Sequence, residues 1–256
     1  EKSKQQTERI SLQMMQTLAT TIEAKDEYTR GHSYRVAEYA ALIAKELGWS
    51  QDEITNLKHA AHLHDIGKIG IPDSVLNKPT QLTEDEDNLL KKHTIIGAEI
   101  LKDVTLIPHV VEVTRNHHYD GSGYPDGLAG TEIPIYARII AVADCYDAMN
   151  SRRIYRNALS QDEIYEEILK NKGTQFDPEI ADIFLTLLTE NQIPDLDDFS
   201  ESSSTSNLAD DHRTISKFIS DVVITIKAQE YAKNYDLLTT LPMRNLGERL
   251  TAELMQ

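Results

Sequence analysis

The stretch His64-Asp65-Ile66-Gly67-Lys68 stands at the end of a segment, 52–67, whose sequence predicts a helix. Adjacent side chains on a helix diverge by about 100°. His64 and Asp65 therefore serve one site only if metal ions lie at the rim of the helix, with the Asp65 carboxylate bridging. Lys68 follows Asp65 by three positions, so its ammonium projects over the same site. Imidazole and carboxylate ligands together favour Zn, Mn or Fe over Ca or Mg.

Further candidate metal ligands occur along the chain at intervals of about one helix and one loop. In order, they are His32, His64, His93, His117 with His118, and Asp144. Because each helix of a bundle is able to deliver one ligand to a shared centre, this spacing indicates a helical bundle around a metal site. A lone helical histidine is usually a surface or satisfied core residue. We therefore do not expect metal binding by His59, His62, His109 and His212.

Helical patterns dominate the chain, and patterns typical of strands are scarce. Apolar residues recur at helical spacing over 33–47, Thr83 and Glu86 form a capping-box pattern, and the Gly- and Pro-rich segment 120–134 predicts a loop. We predict an all-α fold with its main domain over 24–190. The flanking segments are predicted to be an N-terminal helix from an upstream region (1–23), an acidic Ser-rich linker (191–208), a connecting helix (209–235) and a short C-terminal segment (236–256).

Composition restricts the possible partners and the compartment. The net charge of −16 over 256 residues argues against binding of long nucleic acid, which needs a basic face. The single cysteine, Cys145, excludes a disulfide framework and indicates a reducing compartment, so we expect a cytoplasmic protein. No run of about 18 apolar residues occurs, so we expect no membrane segment. The chain begins with Glu1, and we expect a piece of a longer protein.

Two longer motifs resemble the signatures of the HD-GYP family of metal-dependent phosphohydrolases. One is the stretch 64–73, HDIGKIGIPD, and the other is Gly121-Ser122-Gly123-Tyr124-Pro125-Asp126-Gly127. Shorter similarities occur at 29–33, 91–93, 137–139, 142–148 and 173–178. The resemblance spans about residues 20–190. It implies an HD-superfamily helical bundle, here with flanking N- and C-terminal signalling helices, and an enzyme that hydrolyses a cyclic dinucleotide.

The resemblance also implies a centre of two or three divalent metal ions, Fe, Mn or Zn, and assigns residues to two of them. One ion would be held by His32, His64, Asp65 and Asp144. The second would be held by Asp65, His93, His117 and His118. Asp65 and Lys68 would be catalytic, with Lys68 contacting a substrate phosphate. The nucleotide pocket would be shaped by Lys68, Gly123, Tyr124, Pro125 and Arg138. Two metals about 3.5–4 Å apart would activate water for attack on phosphorus.

Three positions depart from the family pattern or leave alternatives open. Tyr28 stands where some members have a glutamate associated with a third metal, so we expect two ions. The segment after His118 is two residues short, and an ungapped alignment would place Arg115-Asn116 at the double-histidine position. We prefer the gap because it retains both histidines. Asp147, one turn after Asp144, is either a carboxylate that orients a ligand histidine or a helix-surface acid.

The C-terminal stretch 235–245, YDLLTTLPMRN, resembles the start of a GGDEF domain. That start usually contains Asp-x-Leu-Thr-Gly-Leu-Pro-x-Arg, and Thr240 replaces the glycine here. We expect only the beginning of such a domain, because the sequence stops at Gln256 before any signature loop. This interpretation agrees with a signalling helix over 209–235.

The leading functional prediction is hydrolysis of cyclic di-GMP to linear pGpG. A related alternative is hydrolysis of another cyclic dinucleotide, such as cyclic GMP-AMP. A different alternative is a degenerate signalling domain that binds a ligand or partner without turnover, which only the shortened segment after His118 favours. A generic nucleotidase of the wider HD superfamily is a fourth alternative, but the motif at 121–127 argues against it.

Two apolar stripes predict a homodimer through the terminal helices. The first stripe is formed by Ile10, Met14, Leu18 and Ile22. The second is formed by Ile215, Ile219, Val222 or Val223, and Ile226. Isolated helices of this length are marginal in water unless one face is buried. Pairing across a two-fold axis would bury both stripes, and the alternative is that each stripe folds back on its own domain.

Overall fold

A computed structural model describes residues 17–19, 21–23, 25, 31–118, 124–151, 158–194 and 196. Within these ranges the chain forms helices, and the only β pairing is an isolated bridge between Lys172 and Phe176. The prediction of an all-α fold is therefore confirmed. Several predicted features lie outside the described residues, namely the stripe residues Ile10 and Met14, the loop positions 119–123, the connecting helix 209–235 and the GGDEF-like segment.

The described helices are numbered here in chain order. They are α1 His32–Glu46, α2 Gln51–Leu63, α3 Asp73–Leu76, α4 Glu84–Lys91, α5 His93–Leu101, α6 Val110–Asn116, α7 Ile135–Asn150, α8 Gln161–Asn171 and α9 Pro178–Thr189. Capping boxes begin α2, α4 and α8, and the predicted Thr83–Glu86 box is the one that begins α4. A capping residue satisfies backbone N–H groups that the first helical turn leaves without partners, which fixes where each helix starts.

The helix predicted over 52–67 is shorter than expected. It ends at Leu63, and a tighter 3-10 helix, Ile66–Gly70, follows it. Gly67 and Gly70 disfavour continuation of the α-helix, since glycine is among the weakest helix formers. The 3-10 helix that replaces the last part of the predicted helix brings the side chains of Asp65 and Lys68 together.

The core forms where α1 packs against α2 and α7. Val36, Ala40 and Ile43 of the predicted stripe on α1 are fully buried. Alanines on the facing helices, including Ala60 and Ala61, are fully buried as well. Small side chains let helix axes approach closely, so these three helices pack tightly against one another.

Helix α5 approaches the turn Ile66–Gly70 so closely that only glycine fits between them. A Cβ atom placed on Gly67 would lie 1.8 Å from the carbonyl oxygen of His93 and 2.5 Å from the backbone nitrogen of Gly97. Both neighbours are backbone atoms, which cannot rotate away as a side chain does. Gly67 therefore brings the first residue of α5 next to Asp65.

The packed domain extends beyond the predicted boundaries of 24 and 190. Ala19 and Ile22 are 5% and 6% exposed, and Ile22 belongs to the core, as does Leu196 at the other end. At Ile22, the structure agrees with the alternative that the stripe folds back on its own domain. Leu18, by contrast, is 47% exposed. Among the described residues, no helix combines the length and apolar character needed to cross a membrane.

Candidate metal centre

The first group of candidate ligands gathers where α1, α2 and α7 meet. His32 is the first residue of α1, and His64 directly follows α2. Asp144 lies on α7, and its Oδ1 is 3.3 Å from Nε2 of His32. One ligand atom from each of these three residues lies within 4.8 Å of the other two. Three segments separated along the chain therefore supply one compact donor set.

The second group consists of three imidazoles from α5 and the end of α6. Nε2 of His93 is 3.4 Å from Nε2 of His117 and 3.2 Å from Nε2 of His118. All three ligand atoms lie within 4.8 Å of one another. Imidazole nitrogens are ligands that borderline transition metals prefer, so this group has donors suited to such a metal.

Asp65 lies between the two groups, with one oxygen turned to each. Its Oδ2 is 3.5 Å from Nε2 of His64 and 3.8 Å from Nε2 of His32. Its Oδ1 is 3.5 Å from Nε2 of His93 and 3.8 Å from Nε2 of His117. A carboxylate in this position has the geometry to be shared by two ions.

Backbone carbonyl groups orient three of the rings. In each case Nδ1 donates to the carbonyl three residues earlier: His64 to Ala61 at 2.6 Å, His93 to Leu90 at 2.7 Å and His117 to Thr114 at 3.0 Å. This bond fixes the tautomer with a lone pair on Nε2, which then faces the cluster. Nε2 of His64 is buried and has no hydrogen-bond partner in the described part of the chain. A buried acceptor without a partner is costly, and a bound metal ion would satisfy it.

A buried carboxylate orients the fourth ring, that of His32. Oδ2 of Asp147 is 2.8 Å from Nδ1 of His32, and Arg35 holds Asp147 through Nε at 2.6 Å and Nη2 at 3.0 Å. The side chain of Asp147 is only 2% exposed, so the alternative of a helix-surface acid was wrong. Sequence reasoning did not single out Arg35, although its position one turn after His32 was a usable indication.

Burial and neighbouring charges give the two groups different protonation. Burial lowers the pKa of His93 to about 4 and also lowers the pKa values of His117 and His118. Burial opposes charge on His32 too, but hydrogen bonds with Asp144 and Asp147 outweigh it and raise its pKa to about 10. The second group is thus neutral imidazole, the form that binds metal, and the first is rich in negative charge that attracts a cation.

Lys68 adds a positive charge beside the shared carboxylate. Its Nζ is 2.6 Å from Oδ2 of Asp65. Burial opposes ionisation of Asp65, but neighbouring positive charge, first of all that of Lys68, outweighs it, so the pKa of Asp65 lies well below its usual value. The carboxylate is therefore ionised and available to ligate.

An aromatic stack marks the rim of the second group. The ring of Tyr124 stacks on His118 with centroids 5.4 Å apart and an angle of 22° between the planes. Nζ of Lys91 lies 5.1 Å from the centroid of Tyr124, within range of a cation–π contact. The next residues of the loop are tied down by an ion pair of 2.5 Å between Arg115 and Asp126. The involvement of Lys91 was not predicted.

The other predicted pocket residues are placed differently. Nη1 of Arg138 is 2.5 Å from Oδ2 of Asp177, and its Nε donates to the carbonyl of Ile133 at 2.9 Å. Asp177 in turn caps α9, so Arg138 fastens α7 to the start of that helix. Pro125 is partly buried in the loop, and Gly123 lies outside the described residues. A contact of Arg138 with substrate stays a prediction.

The structure also bears on the two alignments of the double histidine. His117 and His118 both direct Nε2 at His93, whereas Arg115 pairs with Asp126. The side chain of Asn116 donates to the carbonyl of Glu112 within its own helix. The gapped alignment is the one that matches this arrangement.

Comparison with known proteins places the fold and the site in a family. Residues 16–180, more than half of the chain, match the sequence profile described as HD domain. The chain therefore belongs to the HD-domain family. This match includes every residue of the two candidate ligand groups.

Named relatives are similar over the same region. The cyclic di-GMP phosphodiesterase response regulator RpfG of Xanthomonas campestris is 44% identical over 172 residues, which cover 66% of this chain and 46% of RpfG. A cyclic di-GMP phosphodiesterase of Thermotoga maritima is 42% identical over 188 residues, 72% of this chain and 50% of the relative. The 3'3'-cGAMP-specific phosphodiesterase 2 of Vibrio cholerae is 38% identical over 179 residues, 68% of this chain and 34% of the relative. The chain thus spans half or less of the length of these relatives.

Proposed function

We propose that this chain is a metal-dependent phosphodiesterase of the HD-GYP type that hydrolyses cyclic di-GMP to linear pGpG. One observation carries the proposal: the carboxylate of Asp65 lies between two converging ligand groups, with one oxygen turned to each. The names of the relatives from Xanthomonas campestris and Thermotoga maritima support the substrate.

The donor set supports two divalent ions, Fe, Mn or Zn, because it combines imidazole with few carboxylates. One ion would be held by His32, His64, Asp65 and Asp144. The other would be held by Asp65, His93, His117 and His118. When bound, such ions lower the pKa of water and offset charge on phosphoryl oxygens. Asp147 and the three backbone carbonyl groups would keep the rings in place for this chemistry.

The residues around the shared carboxylate would hold the substrate. Lys68 would contact a phosphate, since its ammonium already lies 2.6 Å from Asp65. Tyr124 offers the flat face on which a base could stack, and Gly123 and Pro125 would shape the loop beside it. Arg138 would contribute at the edge of the pocket, provided that it exchanges part of its pairing with Asp177.

Hydrolysis of 3'3'-cGAMP is a second candidate function. It is favoured by the relative of that name in Vibrio cholerae, whose identity of 38% approaches that of the cyclic di-GMP enzymes. The two substrates share both phosphodiester bonds and differ in one base, so the same metal centre would serve either. The distinction depends on the residues around Tyr124.

The experiment is a turnover assay with the intact chain. The purified protein is loaded with Mn or Fe, incubated with cyclic di-GMP or 3'3'-cGAMP at matched concentrations, and the products are resolved by chromatography. We expect linear dinucleotide from cyclic di-GMP and a lower kcat/KM for 3'3'-cGAMP. The reverse preference would assign the chain to the second candidate.

Metal analysis in parallel separates an enzyme from a non-catalytic binding domain. We expect two equivalents of metal per chain. Asp65→Ala serves as the inactive control, because it removes the shared ligand. Two bound ions without turnover of either dinucleotide would contradict the proposal and leave the degenerate signalling domain as the explanation.

We further propose a homodimer through the terminal helices. Leu18, at the end of the N-terminal stripe, is 47% exposed, whereas Ile22 in the next turn is buried in the domain. A partner helix would therefore pack on residues preceding Ile22, together with the stripe within 209–235. Light scattering on the intact chain and on Leu18→Glu at tens of micromolar tests this. A monomeric intact chain would contradict the dimer.

A further inference from the structure

Helix α1 begins at a metal-ligand candidate but has no cap of its own. Gly31 is its N-cap residue and provides no side-chain hydrogen bond. Glu23 supplies the cap from outside the helix: Oε2 accepts from the backbone nitrogen of Gly31 at 2.8 Å, and Oε1 accepts from that of Ser33 at 3.0 Å. These two N–H groups flank His32. The backbone position of His32 is therefore set by a carboxylate of the N-terminal segment, whose charge also suits a helix N-terminus.

Two residues further along, Lys25 binds the other ligand-bearing element. Its ammonium donates to the carbonyl groups of Lys68 at 3.2 Å and of Ile69 at 2.9 Å, and also to that of Ile71. These carbonyl groups form the end of the 3-10 helix that follows Asp65, and Asp73 Oδ1 lies 3.5 Å from the same ammonium. A cation at the C-terminal end of a helix satisfies carbonyl groups that have no partner within it.

The segment that carries both residues is itself fixed in the domain. Ile22, directly before Glu23, is 6% exposed and part of the core. The side chain of Asn77 donates to the carbonyl of Lys25 at 3.0 Å. Ile22, Glu23 and Lys25 thus join this segment to the core, to α1 and to the turn Ile66–Gly70, respectively.

We propose that Glu23 and Lys25 are positioning residues that hold the two halves of the metal centre in register. The proposal rests on the metal binding of the proposed function and is independent of which cyclic dinucleotide is the substrate. Metal–ligand distances tolerate only about 0.2 Å of deviation, so small shifts of His32 relative to Asp65 alter affinity. Since both contacts originate from one short segment, movement of this segment would reach His32 and the shared Asp65 at once.

The test measures metal affinity of the intact chain by competition between the protein and a chelator for Mn²⁺. We expect Glu23→Gln to weaken one of the two equivalents about 10- to 100-fold, as losses of residues that orient ligands typically do. Lys25→Met weakens both equivalents, because the turn carries the shared Asp65. Lys25→Arg restores the affinity, since the guanidinium retains the charge and the donors.

Matched controls separate this effect from a general loss of capping. Glu163→Gln removes an equivalent capping carboxylate from α8, which carries no candidate ligand. Lys172→Met removes a partly exposed lysine that pairs with Asp182. The two controls keep the wild-type metal affinity. We expect the metal-free Tm of both Glu23→Gln and Glu163→Gln to fall by about 2–4 °C, which corresponds to the stabilisation by one helix cap in a domain of this size.

Each outcome decides the proposal. It is overturned if Glu23→Gln and Lys25→Met bind Mn²⁺ within twofold of the controls, or if Lys25→Arg fails to restore binding. If one variant does not fold, the other decides. A wild-type chain that binds two ions but hydrolyses no cyclic dinucleotide would refute the proposed function and leave this proposal standing on the affinities.

Discussion

Replacing Gly67 with alanine is expected to damage one half of the metal centre selectively. The added Cβ would lie 1.8 Å from the carbonyl oxygen of His93, and contacts under 3.0 Å essentially do not occur. The turn and α5 must therefore separate by about 1.2 Å. This movement carries His93 away from Asp65, whose Oδ1 is now 3.5 Å from Nε2 of His93. A shift of that size exceeds the tolerance of metal–ligand bonds of about 0.2 Å.

The expected result is loss of the second ion with retention of the first. The group His32, His64 and Asp144 involves no residue of α5, so its donors stay together. Overpacking of this kind costs about 1–3 kcal/mol. At about 2–4 °C per kcal/mol, the metal-free Tm should fall by roughly 2–12 °C. Metal content after dialysis and differential scanning calorimetry measure the two effects.

Gly70→Ala is the matched control within the same turn. Its Cβ would meet side-chain atoms of Ile96 at 3.0 and 3.1 Å, and a side chain of this kind is able to move by a few tenths of an ångström. We expect this variant to retain both ions. Undiminished binding of two ions by Gly67→Ala would refute the reasoning, because the backbone contact would then not set the distance between His93 and Asp65.

Three further substitutions test the roles of single residues. Asp65→Ala should lose both ions, measured by elemental analysis, and full occupancy would contradict the bridge. Lys68→Ala should retain the ions but lower kcat roughly 30- to 1,000-fold, the equivalent of about 2–4 kcal/mol for one lost transition-state contact. Unchanged kinetics would remove Lys68 from the mechanism. Asp147→Asn should weaken the ion at His32 about 10- to 100-fold in chelator competition, with the ion at His93 unaffected.

The sequence allowed the candidate ligands to be predicted to converge, because metal-ligand chemistry depends on residue type. His32, His64, His93 and the pair at 117–118 each occur once per helix and loop, and a bundle brings such positions to one centre. The dipeptide His64-Asp65 also indicated a shared carboxylate, since neighbouring side chains on a helix face different directions. The preference for the double histidine over Arg115-Asn116 rested on retaining both histidines of the family pattern.

The sequence did not predict contacts between residues far apart in the chain. The pairing of Arg35 with Asp147 spans 112 positions, and that of Lys25 with Ile69 spans 44. Neither pair belongs to a periodic pattern, so nothing in the local sequence identifies the partner. The sequence left undecided whether Ile22 packs on its own domain or on a partner, because an apolar stripe shows that a helix face is buried without showing what covers it.

The two halves of the proposed centre would accommodate a buried cation in different ways. In the half around His32, the carboxylates of Asp144 and Asp147 supply negative charge and raise the pKa of the imidazole. A bound ion would supply the positive charge that the imidazole proton supplies in the metal-free protein. In the half around His93, burial keeps the imidazoles neutral, and the carboxylate of Asp65 lies 3.5 Å from Nε2 of His93 and 3.8 Å from Nε2 of His117. Carboxylate-rich sites suit Mn, whereas imidazole suits Zn and Fe. Since Asp65 belongs to both halves, an ion in one half would draw negative charge of this carboxylate away from the other half. We expect the two positions to differ in metal affinity despite their shared ligand.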